Sequence, residues 1–430
     1  MTKPYISLNP KDIIFKHYDS IRRHYDGSSI DRPLAVLLIF FLLPISLFNS
    51  LLALMTNKPI FTFQRKVDAL NRNVVLRNFT VGLIKNSAVL FDILLGKIGF
   101  CGVSICHRLP KPIQFLIENQ IRIKAGIFSL YDLHLTTGLS VTNKEQLLEK
   151  QLNGNLSDYF SLIIKSMLCM VIYGQNSKQL KDRPILSLFG LQVKNTNMKE
   201  AVRWITDPCG KQQKTKVGFF VNVHSVNLSI NNKLFFNLLS KADALFADGS
   251  GIRLAATKAG YRLKGNNNGT DLLPHLCEST IKNNQSIYLL GSKPTIADKA
   301  AKNLKHTFPG LKIAGTQHGY SQLTDKELIE NINKSQCDVL LVAMGSPIQE
   351  KWLMDNHEKL TCTTALAVGG LFDFYSGTIS RSPLWLRQLG MEWLWRLIQE
   401  PSKKFNRYVI GTPLFLYRTY FKNLVHLGER

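Results

Sequence analysis

The sequence predicts an α/β fold on a mainly parallel sheet, preceded by an α-rich, membrane-associated part. Three observations carry that expectation. From about residue 185, strand-like runs alternate with amphipathic helical ones. Upstream, residues 34–55, LAVLLIFFLLPISLFNSLLALM, form the most apolar window of the chain. And 54 Lys and Arg face 30 Asp and Glu over 430 residues, a formal charge of +24. Such an excess calls for an anionic partner: nucleic acid, an anionic membrane face or phosphorylated substrates.

The length suffices for two domains with large cores, and a hydrophobic content of 45% excludes disorder throughout. Cys101, Cys106, Cys169, Cys209, Cys277, Cys337 and Cys362 are scattered, with no CxxC pair. An odd, dispersed set reads as reduced thiols in a cytosolic compartment. The apolar window starts too late for a secretory signal peptide and lacks a small-residue cleavage site.

That window is long enough to span a bilayer as a helix, but Pro44 interrupts it, and proline kinks a helix. Both flanks are basic: Arg22, Arg23 and Arg32 before, Lys58, Arg65 and Lys66 after. A simple span is charge-biased to one side. Equal flanks predict a re-entrant hairpin with both ends in the cytoplasm; the alternative is a buried core helix. Residues 159–173, YFSLIIKSMLCMVIY, read as an interfacial helix. The expected domains are 1–183, a membrane anchor, and 184–430, ending in a basic aromatic segment, 381–430.

In the second domain KVGFFVN gives a strand ending near Asn222, and NKLFFNLLSKA a helix. DALFAD is a strand ending at Asp248, and QSIYLLGS one ending at Gly291-Ser292. TIADKAAKNLKHTF is a helix, LKIAGTQHGY a strand and loop, DKELIENINKS a helix. CDVLLVAMGSP ends at Gly345-Ser346-Pro347, and TTALAVGGLFDFYSG turns at Gly369-Gly370. Such a domain is Rossmann-like, and open sheets of this kind bind ligands beyond the carboxyl ends of their strands. Glycine at four strand ends admits close backbone approach and leaves N–H groups for phosphate. No complete GxGxxG or Walker motif is present, which argues against NAD enzymes and P-loop NTPases.

FADGSGIRLA, GNNNGTDLL, IYLLGSKPTIADKAAKNLKHTFPGLKIAGTQHGY, DVLLVAMGSPIQEKW and VGGLFDFYSGTISRSPLWLRQLGMEWLWRLIQEP resemble, in order, the blocks of the WecG/TagA/CpsF glycosyltransferase family (family 26). The resemblance runs from about 185 to 420. It implies transfer of an N-acetylmannosamine-type or related sugar from a UDP-sugar to a polyprenyl-diphosphate-linked acceptor, with inversion and without a metal, in building bacterial surface polysaccharide. The implied location is the cytoplasmic face of the inner membrane. The hairpin, KPIFTFQRKV and FDILLGKIGFCGV resemble a second family, the polyprenyl-phosphate sugar-1-phosphate transferases. Where that family carries an Asp-Glu dyad this chain reads Lys85-Asn86, and its Gly-Pro-Arg-Pro block reads Gly102-Val103-Ser104-Ile105. Without the aspartate there is no nucleophile, so the domain reads as a degenerate anchor.

Inverting transfer needs a base for the acceptor hydroxyl and stabilisation of departing UDP. Asp248, backed by Gly249, is the candidate base; its alternative is an N-cap for a helix starting near Ile252. No DxD-type pair stands near a strand end, so no metal and no cofactor is expected. Gly291, Ser292, Gly345 and Ser346 are candidates to give N–H groups to the diphosphate, with Gly369 and Gly370 beside them. Gln349 is placed to reach uracil or the donor sugar, or else lies on a helix surface. Asn222 is a candidate for substrate hydroxyls, Thr270 and Asp271 for sugar contacts or simply a helix start. Phe220 stands where the family often has threonine, and His224-Ser225 where Ala-Glu is usual. His224 is either an acid–base partner or structural. Arg381, Trp385, Arg387, Trp393, Trp395, Arg396, Lys403, Lys404, Arg407 and Arg418 suit a membrane interface with anionic headgroups. The resemblance assigns such arginines to the lipid-diphosphate acceptor, with Arg381, Arg396 and Arg407 the choices here; a solvated basic face is the alternative. A homo-oligomer is compatible with this reading, and the C-terminal segment is free to close over its own site or a neighbour's. A catalytically inactive scaffold for polysaccharide enzymes is the second functional reading. A nucleic-acid binder is disfavoured, for the chain lacks a basic-aromatic module of that kind.

Overall fold

The computed structural model describes residues 28–68, 72–105, 124–137, 139, 144–173, 180–207 and 214–426. Arg22, Arg23, Cys106 and Cys209 lie outside the described residues. The chain divides into two compact units, one drawn from Met1–Thr136 and Val141–Ile172, the other from Thr137–Ser140 and Tyr173–Arg430. The break thus falls earlier than 183/184. Lys181 already belongs with the second unit, where its N–H donates to the Gly260 carbonyl at 2.8 Å.

The first unit opens with helices α1 (Ser28–Phe41) and α2 (Leu43–Met55) and a hairpin of β1 (Phe61–Val67) and β2 (Asn73–Phe79). Helix α3 (Val89–Leu94) leads to β3 (Gly99–Cys101), β4 (Val103–Ser104) and β5 (Ala125–Phe128), a parallel sheet in the order β3-β5-β4. Helices α4 (Leu130–Thr137), α5 (Lys144–Leu152) and α6 (Leu156–Tyr173) follow. The expectation of an α-rich unit therefore gains two small sheets; the period-2 pattern of FTFQRKV, which favours a strand, was the local signal.

No single described helix is long and apolar enough to cross a membrane; α1, from Ile30, and α2 pass that test only as a pair bent by 66°. The break falls at Leu42, and Pro44 sits in the first turn of α2, where its missing N–H leaves no bond unmade. Two buried polar groups hold the pair. Asp31 accepts from Phe100 N–H at 3.1 Å and from the Tyr159 hydroxyl. Asn49 exchanges hydrogen bonds with the Leu83 backbone at 2.6 and 2.7 Å. Gly82 permits that approach, since a Cβ there would lie 1.8 Å from Asn49 Oδ1. The opposite face of the pair is uncovered: Val36, Leu37, Phe40, Leu47, Leu51 and Leu54 are all exposed. Lys85 and Asn86 fall in a single 3₁₀ turn, Lys85–Ala88.

The second unit is a three-layer α/β/α domain. Its strands are β6 (Ile185–Leu188), β7 (Leu191–Lys194), β8 (Lys216–Val221), β9 (Ala244–Ala247), β10 (Ser286–Gly291), β11 (Lys312–Gln317), β12 (Val339–Ala343) and β13 (Thr364–Ala367). They form one sheet in the order β11-β10-β12-β13-β8-β9-β7-β6, parallel except for the β6–β7 hairpin at one edge. The strands β9, β12 and β13 are buried at every residue, as a sheet covered on both faces requires. The helices are α7 (Met198–Thr206), α8 (Val223–Asn231), α9 (Lys233–Ser240), α10 (Ser250–Lys258), α11 (Gly269–Lys282), α12 (Ile296–Thr307), α13 (Asp325–Lys334) and α14 (Ile348–Asn356). The C-terminal series is α15 (Leu371–Tyr375), α16 (Leu384–Gln388), α17 (Glu392–Gln399), α18 (Pro401–Phe405), a π-helical turn Asn406–Ile410, and α19 (Gly411–Tyr420). Helices α8, α9, α10, α13, α14 and α19 share one core, and α7, α11, α12 and α15 the other, on opposite faces of the sheet.

Candidate active site

The carboxyl ends of five adjacent strands, β10, β12, β13, β8 and β9, stand in a row. They carry Gly291-Ser292, Gly345-Ser346, Gly369-Gly370, Asn222 and Asp248. From β10 the chain leaves through α12 to β11 on one side; from neighbouring β12 it leaves through α14 to β13 on the other. Loops that part in this way open a crevice, the usual ligand position of such sheets. A Cβ added at Gly249, Gly345 or Gly369 would meet nothing within 4 Å, so these glycines border open space.

Asp248 follows β9 and is half-buried. It is not a helix cap: the N-cap of α10 is Gly249, with no side-chain cap bond. Its Oδ2 accepts from Asn222 Nδ2 at 3.1 Å. Asn222 is the cap of α8, its Oδ1 accepting from the N–H groups of His224 at 3.0 Å and Ser225 at 3.1 Å. One amide thus finishes a helix and orients the carboxylate. Burial pushes the Asp248 carboxyl up; the Asn222 bond, then Arg407 and Arg396, pull against it. Gly249, at φ +91°, is fixed from below by Asn266, whose Oδ1 accepts its N–H at 2.7 Å.

The expected phosphate donors need correction. Ser292 N–H already donates to the Ala343 carbonyl at 2.7 Å. The N–H groups of Gly345 and Gly369 both donate to Gln349 Oε1, at 3.2 and 3.0 Å. Buried backbone donors need partners, and the fold supplies them internally. Gln349 is therefore neither on a helix surface nor turned toward a sugar: it is 3% exposed and ties two strand ends together. Unclaimed donors lie instead in the first turn of α10, which has no side-chain cap; in α14 the Gln349 N–H already donates to the Gly345 carbonyl at 3.0 Å. Gly291, at φ +120°, serves packing, because a Cβ there would lie 2.4 Å from the Ala343 carbonyl oxygen. Phe220 packs on Phe246, ring centroids 5.8 Å apart.

Thr270 and Asp271 open α11, capped by Asn268, whose Oδ1 accepts Asp271 N–H at 2.8 Å. The Thr270 carbonyl accepts from the Tyr375 hydroxyl at 2.8 Å. Asp271 is also ion-paired with Arg381, which draws the C-terminal segment onto its own domain. Ser250 Oγ donates to the Gly390 carbonyl at 3.0 Å, and Asn227 Nδ2 to the Gly411 carbonyl at 2.7 Å. Arg418 clamps Asn227 and Asn231 at 2.8 and 2.6 Å, while Phe415 is fully buried. The segment is thus anchored in the same chain through Leu386, Leu389 and Phe415, while no residue of Glu392–Ile410 is fully buried. Arg396 lies over the Phe374 ring at 4.3 Å, within reach of Gly370. Arg407 Nε is buried and has no partner among the described residues. Burial, with Arg407 and Lys404, pushes the His224 imidazole down to about 4.

Sequence reasoning missed Asn266, Glu350 and Glu392. Asn266 stood in an asparagine run before a helix start; Glu350 read as an ordinary acid in a first helical turn. Glu392 on α17 shares a field with Arg381, Asp271 and Asp248, and its burial raises its carboxyl above the usual range.

An open α/β sheet with one carboxylate at a strand end, glycine turns beside it and arginines near it is the layout of a ligand-binding α/β protein with its site at the strand ends. Residues 186–428, more than half of the chain, match the Glycosyl transferase WecG/TagA/CpsF family, and the chain belongs to that family. Among its relatives are proteins of Staphylococcus aureus described as N-acetylglucosaminyldiphosphoundecaprenol N-acetyl-beta-D-mannosaminyltransferase. Those of strains MW2 and NCTC 8325 / PS 47 are each 27% identical over 235 residues, 54% of this chain and 91% of theirs. That of strain MRSA252 is 26% identical over the same length.

Proposed function

We propose that the chain is an inverting, metal-independent glycosyltransferase. It moves an N-acetylmannosamine-type sugar from a UDP-sugar to a polyprenyl-diphosphate-linked acceptor at the cytoplasmic face of the bacterial inner membrane. The observation that carries this reading is Asp248: a carboxylate at a strand end, oriented by Asn222 and spent on no helix cap, with glycines bordering open space beside it. The acceptor hydroxyl oxygen attacks the anomeric carbon, its proton passes to Asp248, and the bond to UDP breaks on the opposite face. Positioned base catalysis of this kind contributes about 10²–10⁴-fold in rate. The departing diphosphate is met by the uncapped first turn of α10. Arg396 and Arg407 are proposed to receive the acceptor's diphosphate. His224, neutral at physiological pH, offers that acceptor a hydrogen bond rather than a charge. Membrane association rests on the exposed apolar face of α1–α2 and on the basic aromatic C-terminal helices.

The experiment is UDP release from a panel of UDP-sugars with a short-chain polyprenyl-diphosphate N-acetylglucosamine acceptor. The wild type is expected to turn over only when acceptor is present, with no loss in chelator. Absence of turnover with every donor, in a folded protein, would favour the inactive scaffold.

A further inference from the structure

Next to the two glycine turns lies a buried carboxyl group with no cation bonded to it among the described residues. Glu350 stands in the first turn of α14 and is 3% exposed. Its Oε1 accepts from Ser346 Oγ at 2.6 Å and from Gln349 Nε2 at 3.0 Å. Its Oε2 is sealed from solvent and finds no hydrogen-bond partner among the described residues. Gln349 passes the order on: its Oε1 takes the N–H groups of Gly345 and Gly369. One carboxyl group thus orients one amide, and that amide joins the ends of β12 and β13.

Elementary chemistry sets the form of the acid. An ionised carboxylate offers only acceptors, and here one oxygen would be buried with nothing to accept, an unfavourable state. A proton on Oε2 removes the buried charge, the larger part of that cost, and leaves Oε1 as a carbonyl-like acceptor for both donors. Burial raises this carboxyl above its usual range, against the pull of the Ser346 and Gln349 bonds and of its own backbone N–H. The amide of Gln349 is then fixed by function: its oxygen must face two backbone donors, so its nitrogen must face Glu350. Without that acceptor the amide is free to swing away, and the two turns lose their common partner.

We propose that Glu350 is a positioning residue for the sugar-nucleotide donor. As a neutral acid it fixes Gln349 and Ser346, and through them shapes the Gly345–Ser346 and Gly369–Gly370 turns that border the donor crevice. This rests on the reading of the crevice as the donor site.

The test is UDP binding by calorimetry to the full chain in detergent, with donor KM and kcat and a thermal melt for each variant. Glu350→Gln keeps an acceptor oxygen and puts a neutral amide where the protonated oxygen stood; UDP affinity should stay within about threefold of wild type. Glu350→Ala and Glu350→Asp, which remove or withdraw the acceptor, should each weaken UDP about tenfold or more. Donor KM should rise in step while kcat changes little. If Glu350→Ala does not fold, the Gln and Asp variants decide. Wild-type UDP affinity in Glu350→Asp or Glu350→Ala overturns the proposal, whatever the melt shows. A Gln variant as weak as the Asp variant overturns the neutral form. Failure of the wild type itself to bind UDP removes the donor site and this proposal with it; wild-type binding with unchanged variants removes Glu350 alone.

Discussion

Burial favours the neutral form of both Asp248 and His224, raising the carboxyl of one and lowering the imidazole of the other. Burial raises the Asp248 carboxyl above its ordinary 3.8, so it takes up its proton at a higher pH than a free aspartate. A base must be ionised, so kcat/KM should fall toward acid with a limb above that ordinary value. Asp248→Asn keeps the Asn222 contact region but cannot take a proton, and should lower kcat by about 10²–10⁴-fold with UDP binding retained. Unchanged turnover in that variant would leave the enzyme but discard this base. For His224 the folded-state value, about 4, lies below the unbound 6.5. Between those values the unfolded chain binds the extra proton, so stability rises with pH through that window and is lost as pH falls. Melting temperatures at pH 7 and pH 5 read this directly. The drop on acidification should be smaller in His224→Gln than in wild type, and an equal drop would show that this imidazole is not the group responsible.

The strand-end elements were legible because their chemistry is local. Asp-Gly, Gly-Ser and Gly-Gly after apolar runs announce a turn wherever they occur, and the structure has a turn at each. The purpose of each glycine was not legible, because it depends on the neighbouring strand. At Gly291 that neighbour is the Ala343 backbone; at Gly345 it is empty space. The two should therefore fail differently when given a methyl group. Gly291→Ala combines φ +120° with a 2.4 Å clash against backbone and should cost several kcal/mol, about 3 or more, enough to spoil the fold. Gly345→Ala meets only the strain of φ +79°, about 1–2 kcal/mol, and should leave a folded chain with weakened UDP binding. Urea unfolding and UDP calorimetry on both variants check this; equal destabilisation would mean that the close approach at Gly291 relaxes. Other elements escaped for the same reason. The β6–β7 hairpin turns on Phe189 and Gly190, both at positive φ, and pairs with the sheet through contacts far off in sequence. Helix α7 did carry a local signal, the Asn197–Glu200 capping box. Asn266 acts on a backbone N–H brought to it by folding, and Glu350 acts on its neighbours Ser346 and Gln349, whose amide joins two strand ends only in the folded sheet; no motif marks either role.

At the scale of the molecule, charge and apolar surface make separable demands. The chain carries +24 overall, and that attraction to an anionic surface is screened once the Debye length shrinks to about 3 Å at 1 M salt. The exposed side chains of α1 and α2 are a different force. Phe40, Phe41, Leu47, Phe48, Leu51 and Leu54 are each at least half exposed, and burying one such side chain is worth about 1.5–3 kcal/mol, with little dependence on salt. Asp31 and Asn49 anchor the opposite side of the pair to its own unit, so the apolar face is held outward and does not depend on lipid for its shape. If this face enters a bilayer, the two forces should separate on vesicles. Wild type should bind anionic vesicles at 0.1 M salt, remain largely bound at 1 M, and bind neutral vesicles weakly but measurably. The double variant Leu47→Glu/Leu51→Glu leaves Asn49 and Asp31 untouched and should fold normally. It should still associate with anionic vesicles at low salt, through its basic surface, and come off completely at 1 M. Complete release of the wild type at 1 M would mean that charge alone holds the chain to the membrane and that the apolar face serves something other than lipid.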